Sequence, residues 1–289
     1  MFKRVIVGVD GDSGGRDAIA VARLLVAADG RLALAHVHEL TPVRGASGAY
    51  GSAESAESMR LLEAERAAAG VDADLLTVTA SSVGRGLHYL AEAQQADLLS
   101  VGSSTRSFVG RVLVGDLSRA ALVGAPCAVA VAPLGYADGG SAIARVGVGY
   151  DGSPESERAL AFARGLAAHL GAALTALTVV EPARYTSVVR GLARGEASAH
   201  ELEDATRELD ALDGVEGEVA SGLAGEELAL FSARVDLLVV GSRGYGPIRS
   251  LMLGGTAVHL ASNARCPLLV LPRLASDGAG PAASDAVAG

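Results

Sequence analysis

Residues 236–256 read DLLVVGSRGYGPIRSLMLGGT. The segment opens on a short apolar run ending in two valines, which has the character of a strand buried inside a parallel sheet. Gly241 and Gly244 follow at once, and Gly254-Gly255-Thr256 close the segment before a helical pattern over 257–264. Glycine lets a backbone approach a ligand closely and leaves its N–H group accessible. One such place after a strand and another at a helix start would form a cradle for phosphates. A plain glycine-rich turn has the same composition, and this stretch alone does not separate the two.

Working outward, the strand and its glycine occur twice. Ala96-Asp97-Leu98-Leu99-Ser100-Val101-Gly102 reappears 139 residues later as Val235-Asp236-Leu237-Leu238-Val239-Val240-Gly241. The same offset carries Gly115 to Gly254, Cys127 to Cys266 and Pro133 to Pro272. Nearer the start, Val7-Gly8-Val9-Asp10-Gly11 matches Val148-Gly149-Tyr150-Asp151-Gly152, and His36-Val37-His38-Glu39 matches Thr178-Val179-Val180-Glu181. Four blocks in one order at nearly constant spacing identify a tandem duplication. The expected domains are 1–134 and 145–274, joined by a linker at 135–144 and followed by a disordered tail at 275–289, whose Ala, Gly, Ser, Asp and Pro supply little apolar surface to bury.

Each half alternates strand and helix. In the first, strands are expected at 4–9, 31–38, 75–80, 96–101 and 128–132, with helices at 15–28, 53–69, 86–95 and 116–123. Ser153 and Pro154 suit the cap and first position of a helix. The expected fold class is α/β, with two tandem doubly wound five-stranded parallel sheets, Rossmann-like, in strand order 3-2-1-4-5. That order puts the switch point between strands 1 and 4, so Asp10 or Asp151 and the glycine segments face one crevice.

Composition narrows the class. The net charge of −9 lacks the basic footprint of a nucleic-acid binder. Aromatics make up 3% of residues and Trp is absent, so the core must be Leu, Val and Ala. Two cysteines in 289 residues do not make a disulfide scaffold. No signal peptide and no membrane span is read, so the expected location is the cytoplasm.

With these motifs in hand, the chain resembles a tandem universal stress protein. The nucleotide-binding members of that family carry Gly, two residues, Gly, nine residues, then Gly followed by Ser or Thr. Gly241, Gly244 and Gly254 fit, but Gly255 stands where the hydroxyl residue belongs and Thr256 comes one place later. The resemblance implies an ATP-binding regulatory protein of the stress response, with ATP as ligand, with or without Mg2+, and little or no turnover. It assigns Asp151 and the backbone of Val179 to adenine and ribose, Gly241 to ribose, and Gly244, Gly254, Gly255 and Thr256 to phosphates. Arg243, inside the loop, is a further phosphate candidate. The corresponding first-half residues are Asp10, Val37, Gly102 and Gly115. There Thr105 replaces the second glycine, and Asp116 puts an anion where phosphate would sit. Two like charges about 4 Å apart cost about 4 kcal/mol at an effective dielectric near 20. A helix N-terminus returns only about 0.3–1 kcal/mol. The first half is therefore expected to bind ATP weakly or not at all. The resemblance also implies pairing of the fifth strands, 128–132 against 268–271, and a homodimer is a further expectation.

Two other readings compete. A scaffold protein of the same fold that has lost nucleotide use would explain Asp116 and Gly255. An ATP pyrophosphatase-type enzyme is suggested by Ser13-Gly14-Gly15-Arg16-Asp17, which resembles the SGG-x-D signature, although the usual final Ser is Ala18 and the second half has no counterpart. His36 and His38 share a strand face, but Val180 replaces the second of them in the other half, so a structural role is favoured over a metal pair. Cys127 and Cys266 are expected to be buried and inert.

Overall fold

The computed structural model describes residues 1–40, 49–103, 107–108, 111–112, 116–139, 142–181, 198–242 and 255–272. Most of the expected loop at 41–52, the loop at 184–194, the tail at 275–289 and the middle of both glycine segments lie outside the described residues. In chain order the first half comprises β1 (Phe2–Gly8), α1 (Ser13–Leu25), β2 (Val26–Glu39), α2 (Ala49–Ala69), β3 (Asp74–Ala80), α3 (Val83–Ala93), β4 (Leu98–Gly102), the two-residue strands β5 (Ser107–Phe108) and β6 (Arg111–Val112), α4 (Asp116–Leu122) and β7 (Ala128–Ala132). After α5 (Tyr136–Gly139), the second half has β8 (Arg145–Gly149), α6 (Pro154–Leu170), β9 (Ala173–Val180), α7 (Ala199–Asp210), β10 (Glu216–Ser221), α8 (Ala224–Phe231), β11 (Leu237–Gly241), α9 (Gly255–Asn263) and β12 (Leu268–Leu271).

Ten of the described strands form one sheet in the order β10-β9-β8-β11-β12-β7-β4-β1-β2-β3, and β5 and β6 pair separately. Within each half this is the expected 3-2-1-4-5 order with parallel neighbours. The sequence reading has two sheets, whereas the structure has one. The halves join where β12 runs antiparallel to β7, with Leu268 opposite Val131 and Val270 opposite Val129. These two strands are short and apolar, and their union leaves neither as an exposed edge.

Alternation along the strands builds two cores, one on each face. Val5 and Val7 belong to the layer that also holds Ile19 and Leu25 of α1, Leu62 of α2, Leu160 of α6 and Leu209 of α7. Ile6 points the other way, into the layer holding Leu87 of α3, Leu122 of α4, Leu228 and Phe231 of α8 and Leu260 of α9. Both layers cross the junction between halves. Phe2 and Phe162, from opposite halves, stack with ring centroids 5.2 Å apart. A fully buried Leu or Phe contributes about 1.5–3 kcal/mol.

Several element bounds differ from the sequence reading. Helix α3 starts at Val83 rather than 86, because Ser82 caps it by accepting from the Arg85 N–H at 3.4 Å. Gly86, read as the helix start, lies inside the first turns and is there for packing: a β-carbon on it would stand 2.4 Å from Val37 Cγ1. Strand β2 begins at Val26, directly after α1, five residues before the expected start. Asp12 holds the cap place of α1 and makes no side-chain cap bond. The expected linker carries α5. Asp17, 1% exposed, accepts from the N–H groups of Gly135 and Ala137 at 2.8 and 2.7 Å. The carboxylate read as part of a pyrophosphate-gripping motif thus ties α1 to the connection between halves.

The duplicated Asp of the strand motif also has a structural task. Asp97 accepts from the N–H groups of Lys3 and Arg4 at 2.8 and 2.9 Å. Asp236 accepts from those of Ala144 and Arg145 at 3.1 and 2.9 Å, and from the Arg145 guanidinium at 2.8 Å. Each carboxylate holds the start of its half's first strand beside the start of the fourth. The Arg145 hydrogen bond is the main reason that the Asp236 carboxyl sits below its usual range. A depressed folded pKa contributes stability above the unfolded value, near pH 4, and that contribution vanishes as pH falls through the folded pKa. Urea unfolding of the chain and of Asp236→Asn from pH 7 to pH 2 should show a stability gap that is full above about pH 4 and closes in acid. A gap of constant size across that range would refute the assignment.

Candidate functional site

The C-terminal ends of β8, β9 and β11, with the first turns of α6, α8 and α9, enclose a crevice of about 640 Å³. This is where an open α/β sheet receives a ligand, and the volume lies within the range of small-molecule sites. It gathers Asp151, Val179, Gly241, Gly255 and Thr256 from the expected site. Arg243, Gly244 and Gly254 lie outside the described residues.

Each wall follows from local structure. Asp151 ends the first strand of the half, and its Oδ1 accepts from the Ser153 N–H at 3.1 Å and from the Ser153 hydroxyl at 2.5 Å. Ser153 Oγ in turn accepts from the Ser156 N–H at 3.2 Å, capping α6, with Pro154 in its first turn. The turn therefore fixes Asp151 at the crevice edge. Tyr150 sends its ring into the opposite core and donates its hydroxyl to Glu157, which pushes the phenol up to about 12.

The floor is apolar. Leu177, Val179, Leu228, Val240 and Ala257 line it, a surface suited to a flat ring. The rim is acidic. Among the described lining residues, Asp151, Glu155, Glu181 and Glu226 carry carboxylates, and His259 is the one nitrogen base. Gly255 opens α9, and a β-carbon on it would meet nothing within 4 Å.

Gly241 has a second task. A β-carbon there would lie 2.6 Å from the Glu155 carbonyl oxygen. Its first-half counterpart Gly102 is tighter still, at 2.0 Å from the Gly14 carbonyl. Both glycines are needed for close approach, but the approaching group in the structure is the first turn of α6 or α1.

The first half is built differently at the matching places. Asp10 makes the same kind of turn, accepting from the Asp12 N–H at 3.1 Å. Val37, however, is 8% exposed, packed under α3 at Gly86, whereas Val179 is half-buried and borders the crevice. The position of Gly86 is occupied in the second half by Glu227, whose carboxylate folds over Gly222 instead. A β-carbon on Gly84 would stand 2.7 Å from the Ala120 carbonyl, so α3 and α4 touch through backbone. In the second half a β-carbon on Gly225 would stand 3.1 Å from the His259 side chain, so a ring lies between α8 and α9. Asp116 starts α4. Thr105 and Gly115 lie outside the described residues.

The remaining candidates have structural partners. His36 Nδ1 is 2.7 Å from the Val9 carbonyl, and His38 Nε2 pairs with the buried Ser58 hydroxyl. Among the described residues no group of three or more His, Cys, Asp or Glu could hold a metal, and no helix is long and apolar enough to cross a membrane. Burial pushes the thiols of Cys127 and Cys266 up to about 12.

Sequence reasoning missed Glu155, the wall 223–226 and His259. His259 reads in the sequence as a lone histidine on a helix. The signal that finds it is the offset of 139, which pairs it with Ala120.

Comparison with known proteins follows this geometry. The model of the universal stress protein family matches residues 1–133 and again 143–272. A universal stress protein of Mycobacterium tuberculosis is 32% identical over 126 residues, 43% of this chain and 46% of that protein, so the match spans about half of the relative's length. A universal stress protein of Thermus aquaticus is 34% identical over 130 residues, 42% of this chain and 93% of its own. The crystal structure of a universal stress protein from Archaeoglobus fulgidus DSM 4304 superposes with a TM-score of 0.68 at 19% identity, covering 95% of this chain and 97% of that one. The last likeness concerns the fold alone.

Replacing Gly241 by Ala should lower stability to urea by about 1–3 kcal/mol, because the methyl group meets backbone rather than a movable side chain. Unchanged stability would refute the packing role.

Proposed function

The chain belongs to the universal stress protein family, and on that premise we propose that it is an ATP-binding regulatory protein of the stress response. The nucleotide is held by the second domain and is not turned over to a significant extent. The two domains are 1–134 and 145–274, and the setting is the cytoplasm. Pairing of the fifth strands within the chain is part of this reading, with a homodimer as a further level.

The observation that carries the proposal is the contrast between the crevices. In the second half an apolar floor that includes Val179 is open beside the start of α9 at Gly255 and Thr256. In the first half Val37 is closed under α3, and Asp116 stands at the start of α4. A purine suits the floor, and phosphates suit N–H groups at a helix start. Asp151, Glu181 and Glu226 line the crevice beside Glu155, whose carboxylate pairs with Arg158 at 3.2 Å, and this acidic lining favours a nucleotide that carries Mg2+ over the bare polyanion. Asp151, Val179 and Gly241 face the nucleoside in this reading; Gly244, Gly254, Gly255, Thr256 and Arg243 face the phosphates.

Calorimetry of the nucleotide-stripped chain with ATP and Mg2+ tests the proposal. One site per chain is expected. Gly255→Asp copies the first half's anion into the second, at a position with open space for the side chain. It should weaken ATP binding at least tenfold, roughly 1.4 kcal/mol or more, without lowering the melting temperature of the free protein. Two equal sites would overturn the asymmetry. No heat and no ATP-dependent rise in melting temperature would overturn nucleotide binding itself.

A further inference from the structure

Helix α8 forms one wall of the crevice, yet the residue at its cap position, Leu223, makes no side-chain cap bond. The first N–H groups of a helix have no partner inside it. Here the Ala224 N–H is bound from a distance: Glu181, just beyond the end of β9, accepts it through Oε1 at 3.3 Å. Glu181 itself lines the crevice, two residues beyond Val179. The first half has the same device, because Glu39 Oε1 accepts from the Val83 N–H at 3.3 Å. There, however, Ser82 also caps the helix. The two anchors are thus equivalent in geometry and unequal in what depends on them.

We infer that Glu181 is a positioning residue for the ligand: it fixes the wall formed by Leu223, Ala224, Gly225 and Glu226 against the strand end that carries Val179. The inference rests on the nucleotide reading of the same crevice. Gly222 and Gly225 flank the anchor, so the wall has little stiffness of its own. The Gly222 N–H bonds to the Val180 carbonyl at 3.2 Å, which ties the entry to the wall at one end. The Glu181 carboxylate ties the helix start at the other.

Charge and position predict opposite outcomes, which makes the test sharp. Glu181 is one of the four carboxylates facing the crevice. If it acted only through its charge, removing it would tighten the binding of an anion. The experiment measures ATP–Mg2+ affinity by calorimetry, together with amide hydrogen exchange at Ala224, Gly225 and Glu226, for wild type, Glu181→Ala, Glu181→Gln and Glu39→Ala. Glu181→Ala should bind ATP about tenfold more weakly and exchange those amides faster. Glu181→Gln keeps an oxygen acceptor and should restore both. Glu39→Ala removes the equivalent bond from the other half and should leave the affinity unchanged. Affinity that rises or stays level in both Glu181 variants overturns the inference while leaving nucleotide binding intact. Equal weakening by Glu39→Ala overturns it as well, because a general loss of stability would then suffice. Absence of ATP binding by the wild type overturns the functional reading instead; unchanged amide exchange in Glu181→Ala would then still overturn the anchor.

Discussion

In each half a strand end meets a helix start backbone to backbone: Gly102 against the Gly14 carbonyl, and Gly241 against the Glu155 carbonyl. Neither position has room for a methyl group. This contact sets how near the first helix sits to the fourth strand, and therefore where the first turn, with Asp10 or Asp151, stands relative to the glycine segment. The crevice at the switch point is the space left over once that distance is fixed. Its location follows from strand order; its width follows from backbone touching backbone.

Two differences between the halves bear on the crevice. Gly86 lets α3 close onto Val37, and the corresponding Glu227 does not close onto Val179 in that way. Ala120 lets α3 and α4 meet through main chain, and the corresponding His259 places an imidazole between α8 and α9. Neither change disturbs the strands. Close packing transmits differences in side-chain size directly into helix position, so these two differences act toward covering the apolar floor in one half and exposing it in the other.

Much of the fold was legible in the sequence because it depends on period and repetition. Near-continuous apolar strands alternating with helical patterns fixed the class, and the offsets of 139 to 142 fixed the duplication. The parts that were misread share one physical cause. Gly86 looks like a helix start, but the sequence does not say which group approaches a glycine, and here it is Val37. Asp17 in Ser-Gly-Gly-Arg-Asp looks like part of a phosphate loop, whereas its partners are N–H groups 118 and 120 residues away. Leu223 to Glu226 carry no motif at all and enter the site only because β10 leads α8 past the end of β9. A local pattern reports local geometry, and these roles are set by long-range neighbours.

The residues that hold the frame are those that did not diverge. Asp97 and Asp236 clamp the strand starts, and Glu39 and Glu181 reach equivalent helix starts. Because both halves retain these bonds, and because the sheet and both cores run through the junction at β7 and β12, neither half depends on a ligand to complete its core. The crevice shares Glu181 and Gly241 with that frame, while Thr256 and His259 among its lining residues lie outside it. Residues 116 and 255 make the point most simply. They follow matching glycines at the starts of matching helices, and one is Asp while the other is Gly. An Asp at a helix start favours the helix by up to about 1 kcal/mol and opposes a phosphate there by more. In a duplicated chain the two copies can make different choices at such a position, and under the proposed reading Gly255 is the one that leaves room for a phosphate.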